Sequence, residues 1–228
     1  QVAHEIKNPL TPMKLSIQYL QKAVANTPEK APQLIEKVSS TLIEQIDNLS
    51  QIAGEFSNFA TLPKASNERI ILNEVVEHIH DLFRKRDDMD INMVEPMEDI
   101  YVFADKNHLV RVLNNIVKNA TQAIPTDRRG KIDIELSKNN DYAIVSVSDN
   151  GIGIPDSMTD KVFTPNFTTK SSGTGLGLAI SANMMDAMNG RIYFKSKVGE
   201  GTTFYIELPL LGYEQNNEES VFLDDESI

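Results

Sequence analysis

The sequence predicts an α+β fold in which a helical hairpin precedes a sandwich of helices on a mostly antiparallel sheet. Apolar residues recur in alternating steps of three and four over residues 1–60, which is the pattern of paired amphipathic helices. Beyond residue 69, short stretches with period-two alternation are interspersed with helical patterns. The length of 228 residues and the 40% hydrophobic content allow one substantial core and a second, smaller element.

Two apolar seams define the predicted hairpin. The first helix is expected to end near Asn26, and its seam comprises Val2, Ile6, Leu10, Met13, Ile17, Leu20 and Val24. Residues 27–32 supply the turn, and the second seam runs from Leu34 to Phe59. Two amphipathic helices cannot enclose their own apolar stripes. We therefore expect pairing with a second copy into a four-helix bundle, which makes the protein a homodimer.

The second predicted domain covers residues 69–212 and follows a first domain at 1–60 and a linker at 61–68. Strands are predicted at 69–72, 91–94, 101–103, 131–137, 142–148, 191–196 and 202–208. Helices are predicted at 73–83, 105–124 and about 175–188, with Asp105 as the N-cap of the longest one. The acidic residues 213–228 lack apolar periodicity and are predicted to form a disordered tail.

Composition argues against several classes of protein. The net charge of −11 disfavours a nucleic-acid partner, because such proteins usually present a basic face to phosphates. The absence of cysteine excludes a disulfide framework and a thiolate metal site. No run of about eighteen apolar residues occurs, so we expect no direct membrane contact by this segment. Gln1 already lies within an uncapped helical pattern, which favours further residues upstream.

The first chemical motif is His4-Glu5-Ile6-Lys7-Asn8-Pro9. His4 falls between seam positions and is predicted to face away from the seam. A neutral imidazole can attack a phosphoryl group, Glu5 is placed to orient the ring or take its proton, and Asn8 lies one turn further along the helix. A solvated polar face is the alternative for this motif alone. A zinc-protease motif would need a second histidine at position 8, where asparagine stands.

Two further motifs combine amides, a carboxylate and glycines. Asn115 and Asn119 are four residues apart on a predicted helix, where amide oxygens suit a magnesium shell completed by phosphate oxygens and water. Two exposed polar residues are the alternative. Asp149 ends an apolar strand and can accept a hydrogen bond from an exocyclic amine such as that of adenine, while Gly151 and Gly153 allow the backbone to approach the purine closely. A simple turn would explain these two glycines but not the aspartate.

The fourth motif is Gly173-Thr174-Gly175-Leu176-Gly177-Leu178, which opens a predicted helix. The amides and dipole of a helix N-terminus suit phosphate binding. The motif is not the GxxxxGK[ST] loop, and a lone glycine repeat is a weak signal. The segment 156–172, which includes Lys170, is predicted to be a mobile lid over the nucleotide.

The order of these motifs resembles that of sensor histidine kinases over residues 1 to about 210, and Asn8-Pro9-Leu10-Thr11-Pro12 resembles the nitrogen-regulation branch of that family. The resemblance implies that the first domain mediates dimerisation and phosphotransfer. It also implies that the second is an α/β-sandwich ATP-binding domain of the Bergerat type, shared with DNA gyrase, the Hsp90 chaperones and MutL.

The resemblance assigns roles to individual residues. His4 would be the phosphoacceptor, Glu5 its acid/base partner, Asn8 an aid to autophosphorylation and phosphatase action, and Asn119 the Mg²⁺ ligand. The implied ATP-binding residues are Asn115, Lys118, Asn119, Asp149, Gly151, Gly153, Lys170, Gly173, Thr174, Gly175, Leu176, Gly177 and Thr202, with Thr203 as an alternative to Thr202 on the adenine side. Many relatives carry a basic residue where Gln122 stands, so the phosphate charge is left to Lys118 or Lys170.

The implied function is autophosphorylation of His4 by Mg-ATP, followed by transfer to an aspartate of a response-regulator receiver domain. The reaction is expected in the cytoplasm, in a full-length protein anchored in the cell membrane by upstream segments. One alternative is an ATP hydrolase of the gyrase and chaperone group, but those enzymes carry a general-base glutamate where Asn115 stands, and an amide cannot replace it. The other is a non-catalytic dimeric scaffold, although His4, Asn119 and Asp149 are all retained.

Overall fold

The computed structural model describes residues 2–26, 31–60, 64–165, 167–168 and 175–211, and excludes the side chains of residues 2–6, 31, 48, 51–52 and 55–60. The predicted tail at 213–228 therefore lies outside the described residues. Contacts between residues divide the chain into two compact units. One comprises 1–62 with 164–177, and the other comprises 63–163 with 178–228.

The helical hairpin consists of α1 (Val2–Asn26) and α2 (Ala31–Ala60), which pack against each other. The predicted end of the first helix at Asn26 is confirmed. Ala23 and Val38 are buried, but many larger apolar side chains are not. The side chains that stay 44–60% exposed are Leu10, Leu15, Ile17, Tyr19, Val24, Ile35, Ile43 and Ile46. The hairpin of one chain thus leaves much of its apolar surface accessible to water.

The described residues of the other unit form two sheets. Its strands are β1 (Glu68–Ile71), β2 (Met89–Val94), β3 (Tyr101–Ala104), β4 (Gly130–Lys138), β5 (Tyr142–Asp149), β6 (Arg191–Lys197) and β7 (Gly201–Pro209). β1 and β3 form an antiparallel pair, and the larger sheet has the order β2-β4-β5-β7-β6. β2 runs parallel to β4 and the other neighbours are antiparallel, which agrees with the predicted mostly antiparallel sheet.

Three α-helices within the described ranges accompany these sheets, namely α3 (Leu72–Phe83), α4 (Lys106–Ala123) and α5 (Gly177–Asp186), together with a 3-10 helix at Asp156–Lys161. α4 contacts α3 and the strands β4, β5 and β7, and its buried apolar side chains are Leu109, Val112, Leu113, Ile116, Val117 and Ala120. Each large aliphatic side chain buried in this way contributes about 1.5–3 kcal/mol to folding. Among the described residues, no helix combines the length and apolar character that crossing a bilayer requires.

Two predicted helix starts were wrong by one or two residues. α3 begins at Leu72 instead of Asn73, and the Asn73 side chain accepts a hydrogen bond from the Ile100 amide at 2.8 Å. α5 begins at Gly177 instead of Gly175, because Gly175 has a φ of 66°, which is incompatible with a right-handed helix. α5 also ends at Asp186, two residues before the predicted end.

The predicted N-cap of α4 is confirmed. Oδ1 of Asp105 accepts a hydrogen bond from the His108 amide at 3.0 Å, and Oδ2 accepts one from the Ser66 amide at 2.8 Å. Burial raises the pKa of this carboxyl, but the hydrogen bonds from the His108 and Ser66 amides outweigh it, so the net pKa is lowered. One carboxylate therefore caps α4 and fastens the chain that precedes β1.

We expect Asp105→Ala to lower the free energy of unfolding by about 1–2 kcal/mol, because the cap is lost. Asp105→Ser keeps one acceptor oxygen and should lower the free energy of unfolding by less. The lowered native pKa means that this stabilisation is complete above the unfolded value of about 3.9 and declines as the pH falls through the native pKa. Urea unfolding at pH 7 and pH 3 would measure both effects. A difference between wild type and Asp105→Ala that does not shrink at pH 3 would contradict this account.

Candidate functional site

Asp149 is a buried carboxylate at the end of β5. The strand alternates strictly, so Asp149 shares the inward face with Ala143, Val145 and Val147. A buried charge needs partners, and Oδ1 accepts hydrogen bonds from the Gly151 amide at 2.8 Å and the Thr202 amide at 3.3 Å. The orientation of the carboxylate is therefore set by the backbone on both sides.

The loop after Asp149 is held closely from two sides. On one side, the Ile152 amide donates to the Ala123 carbonyl at 3.0 Å, and a Cβ at Gly151 would lie 2.7 Å from the same oxygen. On the other side, Gly153 has a φ of 73°, and a Cβ there would overlap the Lys197 carbonyl. These contacts within the protein require glycine at both positions. The predicted approach of this backbone to a purine stays a prediction.

The structure distinguishes the two candidate threonines. Thr202 is paired with Asp149 across β5 and β7, is buried, and donates its amide to that carboxylate. The Thr203 hydroxyl lies 2.9 Å from the Ser148 hydroxyl, on the opposite face of the sheet. Thr202 is thus the one of the two that lies beside Asp149.

The amide and lysine candidates lie along α4. Nδ2 of Asn115 donates to the Ser181 hydroxyl of α5 at 3.0 Å, Asn119 is half-buried one turn later, and Lys118 is exposed. Gln122 is also exposed on this helix. α4 ends at Ala123, whose carbonyl binds the loop after Asp149. The structure therefore brings α4, which carries Asn115 and Asn119, next to the loop that follows Asp149.

The protein atoms near Asn119 provide only part of a Mg²⁺ coordination shell. An asparagine oxygen is a hard ligand of the kind that Mg²⁺ prefers. No group of three or more His, Cys, Asp or Glu residues that could hold a metal ion occurs in the part of the chain that the structure describes. A cation at Asn119 would therefore need phosphate oxygens and water as its remaining ligands, which fits a magnesium-nucleotide complex.

Part of the glycine motif is described. Gly175 precedes α5, Leu176 is buried, and Gly177 is the first residue of the helix. Lys170, Gly173 and Thr174 lie outside the described residues. Within the predicted lid at 156–172, Phe163 is anchored, because its ring contacts the rings of Phe194 and Phe204 at centroid distances of 5.9 and 6.5 Å.

The first motif belongs to the hairpin. His4, Glu5 and Asn8 all lie in α1, and His4 and Asn8 are one helical turn apart. Asn8 is exposed, whereas the side chains of His4 and Glu5 lie outside the described residues. The predicted direction of the imidazole stays a prediction.

Sequence reasoning missed two serines near the site. Ser181 is buried in α5 and accepts a hydrogen bond from Asn115, and Ser196 in β6 accepts one from the Ile154 amide at 2.7 Å. A signal for Ser196 was present in the sequence. Alternation in β6 puts it on the same face as Ile192 and Phe194, and a polar residue on an apolar face needs a partner.

Two family models match the chain. The model described as "His Kinase A (phospho-acceptor) domain" matches residues 1–64. The model described as "Histidine kinase-, DNA gyrase B-, and HSP90-like ATPase" matches residues 104–212. The first covers the hairpin, and the second includes Asn115, Asn119, Asp149 and Thr202.

Curated relatives agree with these models. The nitrogen regulation protein NtrY of Azorhizobium caulinodans is 31% identical over 215 residues, which is 92% of this chain. The signal transduction histidine-protein kinase AtoS of Escherichia coli is 33% identical over 213 residues, also 92% of the chain. The chain spans only 28% and 34% of the lengths of these two relatives.

Solved structures are similar as well. The catalytic domain of the histidine kinase ThkA matches with a TM-score of 0.57 and 33% identity, over 63% of this chain and 95% of that one. ThkA in complex with the response regulator TrrA matches with a TM-score of 0.73 and 27% identity, over 92% of this chain and 60% of that one. The class is thus a kinase-type ATPase domain joined to a phospho-acceptor hairpin. The chain belongs to the sensor histidine kinase family of two-component systems, which confirms the family and fold class that the sequence predicted.

The backbone position of Asp149 is expected to depend on Gly201, which has a φ of 120° and no room for a Cβ beside the Asp149 carbonyl. Gly201→Ala should lower the free energy of unfolding by roughly 4 kcal/mol, as severe backbone overlaps do. Gly199→Ala is the matched control, because Gly199 also has a positive φ, of 82°, but nothing within 4 Å. Its free energy of unfolding should fall by only about 1–2 kcal/mol, because the alanine is strained at this φ. Equal losses in urea unfolding would show that the overlap does not matter.

Proposed function

We propose that this chain binds Mg-ATP around Asp149, phosphorylates His4, and passes the phosphoryl group to an aspartate of a response-regulator receiver domain. The observation that carries the proposal is the buried Asp149 carboxylate, held by the Gly151 and Thr202 amides inside a histidine-kinase-type ATPase domain. The same chain carries His4 within a match to the phospho-acceptor model. Donor site and acceptor are thus joined in one chain.

Adenine recognition is assigned to Asp149. A carboxylate that is buried and already oriented by two amides can accept a hydrogen bond from the exocyclic amine of adenine at little further entropic cost. Gly151 and Gly153 shape the pocket wall, and Thr202 lies on its adenine side. Because the aspartate accepts and does not donate, the site would favour adenine over guanine, which presents a carbonyl oxygen at that position.

Phosphate binding is assigned to α4 and the glycine motif. Asn119 would hold Mg²⁺, which when bound neutralises charge on the phosphate oxygens. Asn115 would lie beside the phosphates, with Gly173, Thr174, Gly175, Leu176 and Gly177 wrapping them at the start of α5. Gln122 carries no charge, so a lysine supplies the positive charge that faces the phosphates. Lys118 is exposed and makes no ion pair with a described residue, which supports its assignment to the phosphates. Lys170 is the other candidate.

The transfer step follows from the His4 motif. The imidazole nitrogen attacks the γ-phosphorus, the bond to the ADP oxygen breaks, and the other ring proton passes to Glu5 as the new N–P bond forms. Asn8 would position a phosphoryl oxygen in this step, and a water in regulator dephosphorylation. Positioning and charge neutralisation supply most of the rate enhancement.

The hydrolase alternative is disfavoured at Asn115. A water-activating base is needed there, and this residue is an amide whose Nδ2 donates to Ser181. No observation favours a non-catalytic scaffold.

We further propose that the protein is a homodimer through α1 and α2, because their exposed apolar side chains suit a four-helix bundle. The proposed domains are 1–60 for dimerisation and phosphotransfer, 61–68 as linker, 69–212 for ATP binding, and 213–228 as an acidic tail. The structure of ThkA with the response regulator TrrA supports a receiver domain as partner. We place the reaction in the cytoplasm, in a full-length protein that other segments anchor in the membrane.

The central test uses γ-labelled ATP and magnesium. We expect acid-labile, alkali-stable label on the wild-type chain and at least about a 10²-fold loss in His4→Ala and Asn119→Ala, because acceptor or charge neutralisation is removed. His78→Ala and Asn107→Ala are matched controls, since both are exposed residues on helices α3 and α4. Free phosphate without protein label would instead favour the hydrolase, and ATP binding without either product would favour the scaffold.

Asn8 has a separate test. Asn8→Ala should slow autophosphorylation at saturating ATP, or dephosphorylation of a phosphorylated receiver domain, by roughly 10²-fold, because one positioned polar group is lost at the reacting phosphoryl. Gln18→Ala removes another exposed amide from the same helix and should leave both rates unchanged. If Asn8→Ala behaves like Gln18→Ala in both reactions, the role of Asn8 is wrong.

A further inference from the structure

The side chain of Ser196 lies where three segments of the ATP-binding domain meet. Its Oγ accepts a hydrogen bond from the Ile154 amide at 2.7 Å, donates to the Gly201 carbonyl at 3.0 Å, and lies 2.9 Å from Oγ1 of Thr202. A serine hydroxyl has one proton and two lone pairs. With its proton on the Gly201 carbonyl, which can only accept, Ser196 receives hydrogen bonds from the Ile154 amide and the Thr202 hydroxyl. Its whole hydrogen-bonding capacity is then used.

These partners belong to the nucleotide pocket. Ile154 lies near the end of the loop that follows Asp149, and Thr202 donates its amide to the Asp149 carboxylate. The same loop is also clasped by the turn between β6 and β7, where the Gly199 amide donates to the Ile152 carbonyl at 2.8 Å. The Ser196 side chain therefore links the Ile154 end of the loop to Thr202. Thr202 in turn binds Asp149, the residue assigned to adenine.

We propose that Ser196 is a positioning residue for ATP binding. It holds the Ile154 end of the loop and the Thr202 hydroxyl in the arrangement that adenine requires, without touching the nucleotide. The inference rests on the proposed binding of adenine at Asp149. Removal of the hydroxyl leaves the half-buried Ile154 amide without its partner, so the loop shifts to find another. The binding step suffers, whereas transfer to His4 from bound ATP does not.

The test compares variants of the full chain. Ser196→Ala should raise the dissociation constant for ATP and the KM for ATP about tenfold, with kcat unchanged within about twofold. Ser148→Ala is the matched control, because Ser148 is also a half-buried strand serine bonded to a threonine hydroxyl, but on the outer face of the sheet. It should bind ATP like the wild type.

Two further variants separate the effect of the Ser196 hydroxyl from the effect of side-chain packing. Ser196→Thr keeps the hydroxyl, suits a strand, and should bind ATP within about threefold of the wild type. Ser196→Val has the same shape as threonine without the hydroxyl and should bind about tenfold more weakly than Ser196→Thr. This pair keeps the proposal testable even if Ser196→Ala does not fold, because the two side chains have nearly the same volume.

Asp149→Asn distinguishes this inference from the function on which it rests. If Asp149→Asn loses ATP binding while Ser196→Ala binds like Ser148→Ala, or Ser196→Val binds like Ser196→Thr, then the role of Ser196 is wrong and the proposed site stands. If Asp149→Asn binds ATP like the wild type, adenine recognition at Asp149 is wrong and the inference falls with it. A selective loss in Ser196→Ala and Ser196→Val, restored by threonine, supports it.

Discussion

The Asp149 carboxylate imposes the constraint on which the site depends. A charged group at the inner end of an apolar strand is costly to bury unless hydrogen bonds hold it. The Gly151 and Thr202 amides provide them, and both are available only because the chain comes unusually close at Gly151 and Gly201. The glycines of this region therefore follow from the need to surround one carboxylate with backbone.

Helix α4 connects this carboxylate to the rest of the domain. At its N-terminus, Asp105 caps the helix and binds the Ser66 amide, and at its C-terminus the Ala123 carbonyl binds the Ile152 amide of the aspartate loop. Asn115 and Asn119 lie between these two anchors. The helix also packs against three strands of the larger sheet. Packing thus positions the proposed phosphate side and the proposed adenine side relative to each other.

The two halves of the chain meet their stability requirements differently. The ATP-binding domain buries most of its large aliphatic residues between sheet and helices within one chain. The hairpin does not, because two helices can cover only the stripe that faces each partner. Its exposed leucines and isoleucines are the physical reason to expect a second copy, and they lie in the part of the chain that the phospho-acceptor model matches.

The sequence by itself determined most elements and the family, because helix and strand periodicity, the Asp105 cap and the ordered motifs are local signals. It placed the start of α5 two residues early, since the positive φ of Gly175 cannot be read from glycine alone. Only the tertiary structure chose Thr202 over Thr203 and brought Ser196 to Ile154, 42 residues away along the chain. Those choices depend on which strands become neighbours and in which register, and hydrogen bonds between distant segments leave no periodic trace in the sequence.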